Sequence, residues 1–196
     1  MKKKTITLIA VIGVVALVAL WLIGGYNRFV SREEAVGKAW ANVEAQYQRR
    51  ADLIPNLVNT VKGYARHESQ TFAEVTAART RATSIQVDPS NITPEQLQQF
   101  QQAQSQVGSA LGRLIAVAEQ YPDLKANSNF LELQAQLEGT ENRIQKSRTE
   151  YNEAVQRYNV SVRRFPGNIV AALFGFETKS SFQSESGSEK APEVVF

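Results

Sequence analysis

Cysteine is absent from all 196 residues, and histidine occurs once, at His67. The first absence excludes a disulfide framework and a lipid-modified cysteine anchor. Together they exclude a zinc site built from nitrogen and sulfur ligands. They also exclude the di-iron site that a helical bundle can host, which needs Glu-x-x-His from each of two helices. No Gly-rich phosphate loop, no G-x-S-x-G elbow and no nucleophile paired with a base occurs. His67, next to Glu68, reads as a helix-surface residue. The expectation is a protein that is not an enzyme, needs no cofactor and takes no small-molecule substrate.

A charge excess is missing too. The chain holds 22 Lys+Arg and 19 Asp+Glu, and Lys2, Lys3 and Lys4 are the only charged residues among the first 25. Residues 26–196 therefore carry 19 charges of each sign. The high isoelectric point belongs to the N-terminal flank. A nucleic-acid binder would show a basic face, and none is expected here.

What the chain does have is a long apolar run. It extends from Ile6 to Ile23, interrupted only by Thr7 and Gly13, and closes at Gly24-Gly25. Eighteen residues at a helical rise span ~27 Å, about the hydrocarbon thickness of a bilayer. In lipid each backbone polar group needs an internal partner, so the run must be helical. Residues 1–25 thus read as a membrane anchor with its transmembrane helix at about 6–23. A cleaved signal peptide wants a shorter apolar core and small residues before the cut. The segment Leu20-Trp21-Leu22-Ile23-Gly24-Gly25-Tyr26 has no such pattern, so the anchor should remain. Lys2–Lys4 before the span are matched by Arg28, Arg32 and Lys38 after it. The charge count is level. A single-pass protein of the bacterial inner membrane is expected, with its bulk leaning to the extracytoplasmic side.

The remainder reads as helices. Ser31-Arg32-Glu33-Glu34 has the form of a capping box. Heptad rows follow: Trp40, Tyr47, Ile54, Val61, Glu68, Val75, Ala82 beside Val43, Arg50, Leu57, Tyr64. A turn-rich linker occupies residues 86–91. A second start is Thr93-Pro94-Glu95-Gln96, with Thr as N-cap and Pro at the first helical position. Pro122 ends that helix, and a third begins near Asn127-Ser128. Its rows are Phe130, Leu137, Ile144, Tyr151, Tyr158, Phe165 and the smaller Leu133, Thr140, Ser147, Ala154, Ser161. Sustained seven-residue periodicity predicts coiled-coil-like packing of long antiparallel helices. The fold class is all-α, with a helical-bundle domain at 26–166. An apolar segment at 167–182 should cap the bundle or lie on the membrane interface. Residues 183–196 read as a disordered tail.

Pro55 leaves two architectures open. If the chain reverses there, helices at 31–52, 56–84, 94–121 and 128–164 form an up-and-down four-helix bundle, the preferred version. If it only kinks, three long helices result, the first ~80 Å long. In that case Trp40, Tyr47, Tyr151 and Tyr158 would stay exposed unless another copy covered them. The heptad phase passes Pro55 without slipping, which favours the kink. Length matching favours reversal.

Two charged residues occupy seam positions, Arg50 and Glu68. Arg50 is expected to snorkel to the surface and Glu68 to pair with Arg113. Arg49 or Arg50 should lie near Glu119 and Asp123. Gly108-Ser109-Ala110-Leu111-Gly112 allows a close helix approach, expected within the chain. The six glutamines between Gln98 and Gln106 read as a solvated face.

These segments resemble the LemA family over nearly the whole chain, to about Phe182. The residues that carry the likeness are Tyr26-Asn27, the Trp40 region and Arg49-Arg50-x-Asp52-Leu53-Ile54-Pro55-Asn56-Leu57-Val58. Further along they are Val61-Lys62-Gly63-Tyr64, His67-Glu68 and Glu119-x-Tyr121-Pro122-Asp123-Leu124-Lys125-Ala126. The last are Glu141-Asn142-Arg143-Ile144, Tyr151-Asn152, Tyr158-Asn159 and Phe165-Pro166. The resemblance implies a bacterial protein with one N-terminal span and a helical domain. It also implies a tie to membrane organisation, since a member takes part in forming magnetosome membranes. The family is often drawn with its domain in the cytoplasm, opposite to the lean above.

The expected function is a non-enzymatic, membrane-anchored scaffold that binds partner proteins or further copies of itself at the bacterial membrane, in membrane organisation. The alternative is a signalling adaptor acting on a membrane kinase or protease. Residues at which such roles would be carried are Trp40, Arg49, Arg50, Asp52, Pro55, Glu68, Arg113, Glu119, Tyr121, Asp123, Glu141, Arg143, Tyr151 and Tyr158.

Overall fold

A computed structural model describes residues 2–89 and 91–183. Six helices follow one another: α1 Lys2–Lys62, α2 Ser69–Ser84, α3 Pro94–Ala118, α4 Pro122–Lys125, α5 Ser128–Arg163 and α6 Gly167–Phe174. No strand occurs among the described residues. The disordered tail expected from residue 183 onward lies, past Gln183, outside them.

The first helix is 61 residues long, ~92 Å, and joins the apolar run to the folded domain without a break. The capping box expected at Ser31 therefore does not form, because the backbone is already helical on both sides of it. Gly24 and Gly25 lie inside the helix, where each costs about 0.5–1 kcal/mol relative to alanine. At Gly25 the missing side chain has a use. A Cβ there would come within 3.0 Å of Val170 Cγ2 on α6. The window around the apolar run has mean hydropathy 3.0 and none of it is buried, so the helix is long and apolar enough to cross a membrane.

The chain does not reverse at Pro55. Helix α1 runs through it to Lys62, and the reversal falls at residues 63–68 instead. The kinked alternative, with one helix as far as Ser84, fails at the same place. A proline inside a helix has no N–H for the carbonyl four residues back. Here that carbonyl belongs to Ala51, and Arg79 of α2 donates its Nε–H to it at 2.7 Å. A tertiary bond thus replaces the missing local one. The turn at 63–68 needs no proline. Gly63, Tyr64 and Ala65 hydrogen-bond back to Thr60 and Val61 and close the helix.

Residue numbers rise along α1 as they fall along α5. Arg32 reaches Arg157, Trp40 stacks near Tyr151 and Arg50 pairs with Glu141. The second pair, α2 and α3, behaves alike: Glu74 meets Arg113 and Arg81 meets Gln106. The lengths differ, however. Helix α5 has 36 residues and α2 only 16, so α2 stops ~30 Å short of matching it. The part of α1 and α5 nearest the apolar run is covered by Val87 and Ile92, between α2 and α3, and by Phe182. That is why Trp40, Tyr47, Tyr151 and Tyr158 are buried within one chain.

Helix starts follow local chemistry. Thr93 accepts from Gln96 N while Gln96 bonds back to Thr93 N, the reciprocal box. Asn127 caps α5 by accepting from Phe130 N at 3.1 Å. Along α5 Phe130, Leu137, Ile144, Tyr151 and Tyr158 are buried, but the next in the row, Phe165, lies outside the helix and is 75% exposed.

Replacing Arg79 with methionine is expected to lower stability by ~1–3 kcal/mol, because the Ala51 carbonyl loses its partner. In a Pro55→Ala background the loss should shrink markedly, since the alanine backbone then supplies the N–H that proline lacks. Urea unfolding of the four proteins measures the coupling; equal losses in both backgrounds would refute this account of Pro55.

Candidate functional site

Three features of the folded domain could carry function. The first is a polar layer across the core. Arg50 sits on α1 between Tyr47 and Ile54, and its side chain is 6% exposed. Its guanidinium pairs with Glu141 Oε2 on α5 at 3.0 Å. It also donates to Gln104 on α3, to the backbone O at 3.0 Å and to Oε1 at 2.7 Å. The Tyr47 ring lies 5.0 Å beneath it. On one side lies the apolar cluster of Trp40, Phe100, Ile144, Tyr151 and Tyr158. On the other lies that of Ile54, Leu57, Val107, Leu114 and Leu137. Arg50 therefore does not snorkel, and Gln104 leaves the solvated glutamine face to meet it. Such a pair adds little net stability, because desolvation offsets attraction, but it pins three helices in one register.

Other expected neighbours do not meet. Neither Arg50 nor the exposed Arg49 pairs with the exposed Glu119 or Asp123, since reversal at 63–68 places α5 beside Arg50 instead. Arg113 pairs with Glu74 at 3.1 Å rather than with Glu68, which lies at the N-cap of α2, six residues away. Both partners are well exposed, so the pair contributes under ~1 kcal/mol. Asp52 accepts from Gln48 at 2.7 Å, and Arg143 donates to Thr140 at 3.0 Å. Tyr121 packs on the distal cluster. Gly108 and Gly112 face open space, so their close approach is not made within this chain. No convergence of three or more His, Asp or Glu side chains able to hold a metal occurs among the described residues.

The second feature is an irregular segment, Thr178–Gln183, strapped across α5 and α1. Asn159 donates Nδ2–H to the Lys179 carbonyl and accepts from Lys179 N, both at 2.8 Å. Asn152 does the same for Phe182, at 3.1 and 2.8 Å. Tyr151 adds a bond from its hydroxyl to Ser180 O. Phe182 enters a box of Trp40, Tyr151 and the Arg148 guanidinium. The Lys179 ammonium lies 2.8 Å from Glu33 and over the Tyr158 ring. Sequence reasoning missed Asn152, Asn159, Lys179 and Phe182. The available signal was the Tyr-Asn pair repeated after seven residues, Tyr151-Asn152 and Tyr158-Asn159.

The third feature is the end of the domain nearest the apolar run. Helix α6 packs Val170 and Ala171 against α1 near Gly25, while Tyr26 and Phe29 contact Phe174 and Phe176. Ile169 and Leu173 of α6 and Phe165 just before it are exposed, and Phe174 stays partly exposed beside Tyr26, a few residues beyond the end of the apolar run.

Known proteins share this sequence pattern. The pattern described as the LemA family matches residues 39–196. The chain belongs to the LemA family. It is 31% identical over 194 residues to magnetosome protein MamQ 2 of Paramagnetospirillum magneticum, covering 90% of this chain and 71% of that protein. MamQ of Magnetospirillum gryphiswaldense is 28% identical over 204 residues, with 94% and 75% covered. Protein LemA of Metamycoplasma hominis is 26% identical over 162 residues, with 83% and 70% covered. The LemA match takes in the polar layer, both Tyr-Asn pairs and the strap. The apolar run lies N-terminal to it.

Burial raises the phenols of this LemA-family core. Tyr151 and Tyr158 are pushed up to about 12, Tyr158 with help from Glu33 and Glu177. Tyr47 is also raised by burial, against the opposing pull of Arg148 and Arg50. Above the usual phenol value of about 10 the unfolded chain loses these protons while the folded chain keeps them. Stability should thus be fully present below pH 10 and fall steadily from there to about pH 12. Denaturant midpoints measured across that range test it, and a flat profile would contradict it.

Proposed function

We propose that this LemA-family protein is a non-enzymatic scaffold anchored in the bacterial inner membrane by a single span, with an antiparallel helical bundle that binds partner proteins or further copies of itself. The observation that carries this reading is the unbroken α1. One rigid rod passes from an exposed apolar stretch into the buried core, so the bundle stands at a fixed height above the bilayer. A flexible tether would suit a roaming catalytic domain; a rod suits a structural support.

Two further observations support it. The exposed apolar side chains of Phe165, Ile169 and Leu173 sit beside the end of the apolar run, which suits a segment lying in the membrane interface. We read it as a foot that rests on the membrane and keeps α1 upright. The MamQ relatives are named as magnetosome proteins, which fits a role in membrane organisation. In this reading Lys2, Lys3 and Lys4 lie on the cytoplasmic side and the bundle outside.

The test is the mass of the full chain released from membranes in mild detergent or in native nanodiscs, read by native mass spectrometry. A species of several copies, or a stable complex with other proteins, is expected. A strictly monomeric, partnerless chain would contradict the scaffold.

A further inference from the structure

The contacts of residues 178–183 are those of a peptide in a receptor. Seven residues of α5 separate Asn152 from Asn159, ~10.5 Å along the helix. Three strap residues separate Lys179 from Phe182, and they bridge this distance only when extended, at ~3.3–3.6 Å each. Each asparagine presents one donor and one acceptor in a plane, so each binds the N–H and C=O of one residue as a strand edge would. These bonds read backbone and ignore side chains. Selectivity comes from two pockets at the matching spacing. Glu33 and the Tyr158 ring hold the Lys179 ammonium. Trp40, Tyr151 and Arg148 enclose Phe182. The groove thus combines main-chain capture with side-chain pockets, the two parts of strand-type peptide recognition.

The short α2 leaves this part of α1 and α5 uncovered, and a longer apolar-faced α2 would have covered it more simply. From this we infer that the groove between α1, α5 and the start of α3 is a recognition site for an extended segment of a partner protein bearing lysine three residues ahead of phenylalanine, with the chain's own Lys179–Phe182 as a competing occupant in cis. The inference rests on the scaffold reading and names its partner class. The strap leaves α6 through Gly175 in the left-handed conformation, φ 75°, which ends that helix and frees the following backbone for extension.

The probe is the capped peptide Thr-Lys-Ser-Ser-Phe-Gln with benzoylphenylalanine in place of its Phe, photolysed with the full chain in nanodiscs. Mass spectrometry should place the adduct on the segments holding Trp40 or Tyr151. Phe182→Ala in the protein, which empties the aromatic box, should raise labelling at least about tenfold, since truncating a buried Phe strongly weakens its hold. Asn152→Ala or a Lys→Ala peptide should lower it. If Phe182→Ala fails to fold, Lys179→Ala, which removes the strap's contacts to Glu33 and the Tyr158 ring and leaves Phe182 in place, should give a rise in the same direction. Scattered adducts, or labelling indifferent to Asn152→Ala, would overturn the site. So would benzoylphenylalanine at position 182 of the protein linking one copy to another, because the occupant would then be a second copy's strap. Labelling without any multi-chain mass would remove the scaffold and leave the groove; assembly without labelling would do the reverse.

Discussion

The hydrogen-bond ladder of α1 is the constraint on which the rest of the molecule depends. It runs from Lys2 to Lys62 with one local bond missing, at Pro55, where Arg79 supplies the replacement, so the orientation of the apolar run and the orientation of the core are one variable. Two glycines within it would ordinarily weaken the junction. Here α6 closes over Gly25, and Tyr26 and Phe29 pack on Phe174 and Phe176, so tertiary contacts reinforce the ladder where its local propensity is lowest. A second glycine requirement secures α6 itself. At Gly167 a Cβ would fall 2.6 Å from the Ser161 carbonyl, so the turn between α5 and α6 accepts no larger residue without shifting.

Around this rod the domain is assembled from helices of unequal length, and the mismatch explains its other features. Helix α5 matches the part of α1 beyond the apolar run, whereas α2 reaches only its distal portion and α3 extends as far as Trp40, through Phe100. Linker and strap residues fill the remainder. Two apolar clusters result, and Arg50, Gln104 and Glu141 divide them. Apolar packing alone would tolerate sliding of α1 past α5 by a heptad. The buried guanidinium, with bonds to two other helices, does not, because a slip would strand it without partners.

Much of this was legible in the sequence, for physical reasons that also mark where legibility ended. The apolar run, the caps at Thr93 and Asn127 and the row Phe130 to Tyr158 all depend on local chemistry or strict periodicity, and each can be read from neighbouring residues. The reversal could not. Pro55 is the loudest local signal in its segment, and it is silenced by Arg79, a residue 24 positions away whose proximity only the fold creates. The true turn at 63–68 carries one glycine and no proline. Partners of Arg50 were misassigned for the same reason: moving the reversal by about ten residues brings different carboxylates into reach. The strap escaped because its asparagines look like ordinary polar residues until an extended chain lies against them. Their repetition beside Tyr151 and Tyr158 was the trace available.

The central claim is that a single continuous helix joins the apolar run to the folded domain, and amide hydrogen exchange of the full chain in nanodiscs addresses it directly. The structure predicts that amides from Gly25 to Ser31, which leave the apolar run and enter the domain, exchange as slowly as those around Val43 to Leu57. Exchange at the rate of an unstructured linker across Gly24–Ser31 would contradict it.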